Sequence, residues 1–491
     1  MHRLHYIDLF CGAGGVTTGV EQAMIQNQKC ASVIACVNHD PHAIASHLAN
    51  HPDCVHFTED IRTLDVSPIV SMVRKIRKEN PDDKIVLWAS CECTNYSRAK
   101  GGLPRDADSR TLPEHLFRYI EAIDPDYIQM ENVSEFLAWG PMSDDNHPIS
   151  LYNGRHYVRW VNKVKRYGYN YEYRILNSAD FGAYTSRKRY FGVFAKKGLP
   201  ITFPEPTHCK NPEPDLFGKD LKPWKAVRDV LNFEDEGQSV FGREKPLVDA
   251  TLRRILAGLK KFAAKDEQSF LMKYFSGDDA SKCISVNGPT GAITCRDHHA
   301  LITTDHIVDQ QYGQSLPASV EKPAGTITTN PKLNLVSIRH WVMNTNYSNV
   351  GSSIDDPAQT VTANRKMMYL MNAQYNWPVY QTDRPCPTII ARQDKRPMYA
   401  IFTRSGDSTL ADREQDSETM HELKEFCRQH GIIDIKMRML RIDELLPIMG
   451  FPKDYKLLGT KNENKKYIGN AVECGMARQL CESIYRGLNA A

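Results

Sequence analysis

Residues 7–19 read IDLFCGAGGVTTG: an apolar run, then glycines 12, 14, 15 and 19 where a strand gives way to a helical pattern. Glycine has no Cβ to hold a partner away, and the first turn of a helix offers N–H groups that lack intrahelical acceptors. A strand that turns through glycine into a helix therefore lets backbone approach a ligand closely, which suits a nucleotide-like cofactor. The dinucleotide form of this turn needs GxGxxG. Here the third position is Thr17, which counts against a nicotinamide cofactor.

Working outward, the first two hundred residues alternate short apolar runs with longer amphipathic ones. HYIDLF, SVIACV, KIVLWA, YIQMEN and YFGVFA read as strands, and SPIVSMVRKIRKE and LFRYIEAI place apolar residues at helical spacing. That is the pattern of βαβ units building a mostly parallel sheet, an α/β fold. After Gly198 the stretch LPITFPEPTHCKNPEPDLFG is dense in proline and turn residues, so a new domain is expected near Leu199. Helices are expected around Trp224–Leu231 and Thr251–Lys261, the second running into the basic AGLKKFAAK.

An internal repeat follows. GPTGAIT, KPAGTITT, DPAQTVTA and RPCPTIIA begin their turns at Pro289, Pro323, Pro357 and Pro385, with Tyr274, Tyr312, Tyr347 and Tyr375 upstream. A recurrence of roughly 30 to 35 residues suggests four related units, each a turn proline and a short β-strand. They are either architectural or a surface for phosphate contacts, which the basic residues Arg296, Lys332, Arg365, Lys366, Arg392, Lys395 and Arg396 favour. Beyond the polar stretch SGDSTLADREQDSETMHE, helical patterns resume through RMLRIDELLPIMGFP and YIGNAVECGMARQLCESIYRGL. The chain is thus expected to build one domain from 1–200 and 435–491, interrupted by a second at 201–434.

Bulk properties bound the function. The 491 residues, 41% hydrophobic and 25% charged, suit a globular protein of at least two domains, and no run is long enough for a membrane span. The N-terminus enters a strand without a leader pattern, and 13 cysteines lie without a framework. Reduced thiols in the cytoplasm are expected. No CxxC pair occurs, and no metal site is expected. A net charge of +3 leaves the partner open.

The chemistry-bearing residues lie after the strand runs. WASCECTNYSRAKGG puts Cys91 and Cys93 in a loop after an internal strand, where open α/β sheets bind ligands, and either thiol is a candidate nucleophile. ENV supplies Glu131, a carboxyl group able to hydrogen-bond or protonate a ring nitrogen, and SRKRY supplies Arg187 and Arg189 on one side of a strand. CVNHD offers Asn38 and Asp40 to ribose hydroxyls, and TEDIRTLD offers Asp60 to an adenine amino group.

Together these stretches resemble the DNA cytosine-C5 methyltransferases. DLFCGAGG is similar to their first motif, ECTNYS to their P-C-Q-x-F-S loop, ENV to their glutamate motif and TSRKR to Q-x-R-x-R. RMLRIDELLPIMGFP resembles R-x-L-T-x-x-E-x-x-x-x-x-G-F-P, and GNAV their last motif. All six occur in family order, over roughly residues 5–200 and 435–480. The resemblance implies a Rossmann-like S-adenosylmethionine-dependent (AdoMet-dependent) domain with an inserted, repeat-containing, mostly β target-recognition domain.

By the same resemblance Cys93 is the nucleophile that attacks C6 of a flipped-out cytosine. Glu131 would engage N3 and the exocyclic amine, with Arg187 and Arg189 beside it. Phe10, Gly12, Gly14, Asn38, Asp60, Ile61, Asn470 and Val472 are the implied AdoMet contacts. Asn38 stands at the usually acidic ribose position, Glu92 and Thr94 replace the proline and glutamine around the nucleophile, and Thr185 replaces the glutamine of Q-x-R-x-R. Glu473 and Cys474 follow GNAV where prolines are common. The implied partner is double-stranded DNA, bound by a monomer without membrane attachment in a bacterial or phage-infected cytoplasm, with room for a cognate restriction endonuclease. Two rival readings are an RNA cytosine methyltransferase, disfavoured by the large insert, and a silent DNA-binding protein, disfavoured by the joint presence of Cys93, Glu131 and Arg189.

Overall fold

The computed structural model describes residues 3–91, 112–141, 154–212, 220–235 and 237–262, isolated strands and turns between 270 and 410, and 412–490 apart from 415, 430 and 431. Seven strands form the main sheet: β1 (Leu4–Leu9), β2 (Ala31–Val37), β3 (Val55–Phe57), β4 (Lys84–Ala89), β5 (Tyr127–Asn132), β6 (Tyr169–Asn177) and β7 (Lys188–Lys196). Their order is β3-β2-β1-β4-β5-β7-β6. The first five are parallel; β7 runs antiparallel to β5, and β6, antiparallel to β7, points the same way as the first five.

Strands buried on both faces explain the near-continuous apolar runs in the sequence. Ile7, Leu87 and Ile128 face one core with Ile69 and Val73 of α3 (Ser67–Glu79) and Leu116 and Ile120 of α4 (Leu112–Ile123). Tyr6, Val86 and Trp88 face the other, with Val16 and Val20 of α1 (Gly15–Glu21) and Leu480 and Ile484 of α10 (Cys474–Ala490). Each such fully buried aliphatic or aromatic side chain contributes about 1.5–3 kcal/mol. Helix α2 (Pro41–Asn50) starts where Asp40 accepts from His42 N and Ala43 N, with Pro41 at its first position.

Away from the main sheet, a second core joins Val227 to Leu252, Ile255 and Leu259 of α6 (Asp249–Phe262) and Leu423 of α7 (Glu418–Gln429), α5 (Arg155–Arg166) having packed against the first. Ile435 and Met437, in the strand Ile432–Met439, and Leu445 of α8 (Ile442–Ile448) join it. That strand belongs to a second seven-stranded sheet and crosses position 435, the expected domain edge. Two local expectations change. The helix expected at Trp224–Leu231 is a 3-10 turn, Val227–Val230, whose N-terminal amides donate to Gly288 O and Val286 O. Arg438 and Met439, read as helical, end a strand, and the helix starts at Ile442.

The strand Ile432–Met439 and α8 are locked by one ion pair. Arg438 donates from Nη1 and Nη2 to the two carboxylate oxygens of Glu444, both at 2.8 Å, with both side chains buried. Glu444 also accepts from Arg441 N and Asn232 N at 2.8 Å, so it caps α8 and ties it to the insert. Of the four Pro/Thr units, the first (Gly291–Arg296) and fourth (Pro387–Ile390) form strands that pair in parallel, Gly291 opposite Pro387. The second and third, and all four upstream tyrosines, lie outside the described residues. No helix among the described residues is long and apolar enough to cross a membrane.

Candidate active site

The carboxyl ends of the parallel strands meet at one edge, where backbone bonds join successive turns. Cys11 N donates to Val37 O, Asn38 N to Phe57 O and Ser90 N to Leu9 O, at 3.1–3.3 Å. Asn132 Nδ2 donates to Cys91 O at 3.2 Å, so the end of β5 holds the residue from which the CEC loop departs. Cys91 is buried. Cys93, with Glu92, Thr94, Tyr96 and Ser97, lies outside the described residues.

Glu131 lies at the end of β5; Arg187 precedes and Arg189 lies at the start of the antiparallel neighbour β7, where Glu131 is in register with Phe191. Arg189 Nε lies 3.3 Å and Arg187 Nη2 4.0 Å from the same oxygen, Glu131 Oε1. All three side chains are nearly buried, at 8%, 11% and 4% exposure for Glu131, Arg189 and Arg187. Arg187 Nη1 also donates to Gly469 O at 3.2 Å, which ties the cluster to the C-terminal segment. Among the described residues, two guanidinium groups face one carboxylate oxygen in a dry setting. Such a site suits a substrate that presents acceptors beside a ring nitrogen.

The glycine turn divides its labour. Phe10 takes a left-handed φ of 62°, and Gly12, at φ 53°, would have nothing within 4 Å of an added Cβ. Gly12 therefore borders open space. Gly15 and Gly19 are small for another reason: a Cβ on Gly15 would sit 2.6 Å from Val472 O, and one on Gly19 would strike Cys474 O. Gly14, at φ 104°, would meet the Tyr455 hydroxyl. At these three the space a side chain would take is filled by protein, which leaves only their backbone for a ligand. Val472 is thereby placed against the turn, and Asn470 lies at the exposed end of α9 (Lys461–Asn470).

Asn38 is half-buried, and its Oδ1 accepts from Asp40 N at 2.9 Å. Asp40 itself is spent on capping α2 and on accepting from the Tyr467 hydroxyl at 3.0 Å. Asp60 forms an ion pair with Arg62, whose hydrogen bond holds the carboxyl below its ordinary range. Ile61 O accepts from the Tyr119 hydroxyl at 2.8 Å. Glu473 takes up the role of α10 cap, accepting from Gly475 N at 3.0 Å and Met476 N at 2.8 Å. This accounts for a glutamate where a proline was expected.

A buried polar network beneath the turn was not anticipated. Thr17 Oγ1 donates to Asp8 Oδ2 at 3.0 Å and meets His47 Nε2 at 3.0 Å, and His47 Nδ1 lies 2.8 Å from His56 Nε2. Thr18 Oγ1 contacts His51 Nε2, which also meets the Tyr455 hydroxyl. Burial pushes Asp8 up to about 7 and His47 well below the usual imidazole range. The available signal was density: positions 39, 42, 47, 51 and 56 are all histidine, out of 17 in the chain.

Comparison with known proteins gives a consistent answer. The family model described as C-5 cytosine-specific DNA methylase matches residues 4–248 and 310–486 and leaves out 249–309, which hold α6 and the first Pro/Thr unit. The type II methyltransferase M.AquIA of Picosynechococcus is 30% identical over 236 residues, 46% of this chain and 87% of that protein. M.AgeI of Thalassovita gelatinovora is 29% identical over 240 residues, and M1.HphI of Haemophilus parahaemolyticus 30% over 212. Each of these matches spans half of the relative, and 46% and 42% of this chain. With the glycine turn, the Glu131–arginine cluster and the C-terminal segment all inside the matched residues, the chain belongs to the C-5 cytosine-specific DNA methylase family.

Proposed function

We propose that the protein transfers a methyl group from AdoMet to C5 of a cytosine flipped out of duplex DNA, through an adduct between Cys93 and C6. The observation that carries this reading is the convergence of Arg189 and Arg187 on a single oxygen of Glu131. That arrangement holds the carboxyl group in place and leaves Oε2 to address the base edge. Arg189, the more exposed arginine, is suited to the base O2. Flipping costs a few kcal/mol, which these contacts and those of the inserted region must offset.

The cofactor reading is supported by the open space beside Gly12, the left-handed turn at Phe10 and the convergence of Asn38, Asp60 and Ile61 on the same sheet edge. Phe10, Gly12, Gly14, Asn38, Asp60, Ile61, Asn470 and Val472 are the residues that would border it. Bound AdoMet supplies an electrophilic methyl group. The chain's own part is to present a thiolate to C6, to hold the base with Glu131 and to exclude water from the reacting atoms. The insert between β7 and α8 is proposed as the sequence-reading domain, with basic residues that follow its Pro/Thr strands neutralising phosphates.

Duplex DNA containing 5-fluorocytosine tests the reaction, because a C5 methyltransferase stalls on it as a covalent adduct. With AdoMet, the parent and Cys91→Ser should form the adduct and Cys93→Ser should not. No adduct from the parent, or retention by Cys93→Ser, overturns the assignment.

A further inference from the structure

Cys36, His47, Cys54 and His56 come from the end of β2, from α2, from the turn before β3 and from β3, and Cys36 is shared by two groups of neighbouring donors beneath the cofactor turn, Cys36–Cys54–His56 and Cys11–Cys36–His47. Cys36 Sγ lies 3.7 Å from His47 Nδ1, and His47 Nδ1 lies 2.8 Å from His56 Nε2. The donor atoms of Cys36, Cys54 and His56 are all within 4.8 Å of one another. In a tetrahedral zinc site with bonds of about 2.3 Å to sulfur and about 2.0–2.1 Å to nitrogen, neighbouring S and N ligands stand roughly 3.5 Å apart. The Cys36–His47 edge already has that length. We propose that these four residues form a site for a thiophilic divalent cation of the zinc class, unrelated to the methyl-transfer chemistry.

Charge balance selects this set. Coordination releases one proton from each of the two thiols to solvent and takes in one dication, so the buried cluster gains no net charge. A third thiolate would leave it negative. Cys11, which also lies within 4.8 Å of Cys36 and His47, instead directs its thiol to Gly12 O at 3.6 Å. The outer shell is in place as well. With the Thr17 hydroxyl proton given to Asp8, Thr17 Oγ1 accepts from His47 Nε2, so Nδ1 carries no proton and accepts from His56 Nε2; a cation takes the place of that proton once His56 carries its own on Nδ1. His56 is only half-buried and provides a way in for the ion. A bound cation would cross-link β2, α2 and β3, the elements on either side of Asn38.

The test uses the untagged full-length chain, stripped with chelator, kept reduced with a phosphine and titrated with cobalt(II). One cobalt per chain should bind with tetrahedral d–d bands and thiolate-to-cobalt charge transfer, and zinc should displace it. Cys36→Ser strikes a fully buried position and risks the fold, so His56→Ala, on a half-buried edge strand, and Cys54→Ser carry the test. Each should weaken cobalt binding by roughly tenfold or more and change the charge-transfer band, while Cys427→Ser in the second core leaves both unchanged. A folded parent chain without thiolate-to-cobalt absorption at one equivalent overturns the proposal. So does an unaltered band in either His56→Ala or Cys54→Ser.

Discussion

Glu131 and Glu444 are both buried glutamates that face buried arginines, yet they are held in opposite ways. Glu444 is saturated: both oxygens accept from Arg438 at 2.8 Å, and two backbone N–H groups fill the remaining directions. Among the described residues Glu131 is approached on one oxygen, at 3.3 and 4.0 Å. A closed, fully bonded pair has nothing left to offer a ligand and serves the fold. A looser cluster, with longer contacts to one oxygen, keeps hydrogen-bonding capacity that a ligand can use. Bond saturation thus separates the two roles where residue type and burial do not.

That distinction is open to attack from both sides. Glu131→Gln should lower the single-turnover rate of methyl transfer by about 10²- to 10⁴-fold while leaving the urea midpoint near the parent value. A large loss of stability would mean that Glu131 serves the fold after all. Arg438→Ala should do the reverse. It strands Glu444 in the core and should cost about 3–5 kcal/mol in urea unfolding. Replacing both, Arg438→Met with Glu444→Leu, should recover much of this but still lose roughly 1–2 kcal/mol, because Asn232 N and Arg441 N then lack their acceptor. If the double variant is as unstable as the single, the pair is not the closed unit described here.

The smallest effect concerns a third buried glutamate. Burial pushes Glu473 up to about 7 from an ordinary 4.5, against the hydrogen bonds from Gly475 N and Met476 N. The folded chain therefore keeps this proton where the unfolded chain has released it. The resulting stabilisation is full below the unfolded value and fades as pH rises toward 7. Glu473→Gln should flatten the fall in stability between about pH 5 and about pH 8 by roughly 1–3 kcal/mol, measured as the difference from the parent in urea unfolding. An unchanged slope would show that the two backbone donors keep Glu473 ionised throughout.

How much of this was legible depended on range. The strands of the main sheet follow from unbroken apolar runs, because burial on both faces leaves no polar alternation to confuse the reading. Glu131, Arg187 and Arg189 were legible as a group because each sits at a strand end facing the same edge. The purpose of Gly15 and Gly19 was not, since the atoms they make room for, Val472 O and Cys474 O, lie more than four hundred residues away in the chain. The Cys36–His47–Cys54–His56 cluster escaped notice because its spacing is set by two strands, a helix and a turn rather than by a compact motif. The segment near Trp224 looked helical locally, but its amides bond to Gly288 and Val286 instead of continuing a helix.

The insert proposed above as the reading domain is fastened to the main sheet by a backbone contact. Thr290, in the first Pro/Thr unit, donates from N to Tyr184 O at 2.6 Å and accepts from Ser186 N at 2.8 Å, a bridge flanking Arg187. The insert is therefore not a cassette hung from two linkers. It is stitched to Tyr184–Ser186, the segment that leads through Arg187 into β7, so the boundary for swapping it is not where the chain leaves the main sheet. A graft that brings in foreign sequence from Leu199 onward also replaces half of that stitch, and must supply a new residue to dock beside Thr185. One that starts after Arg296 inherits the stitch intact.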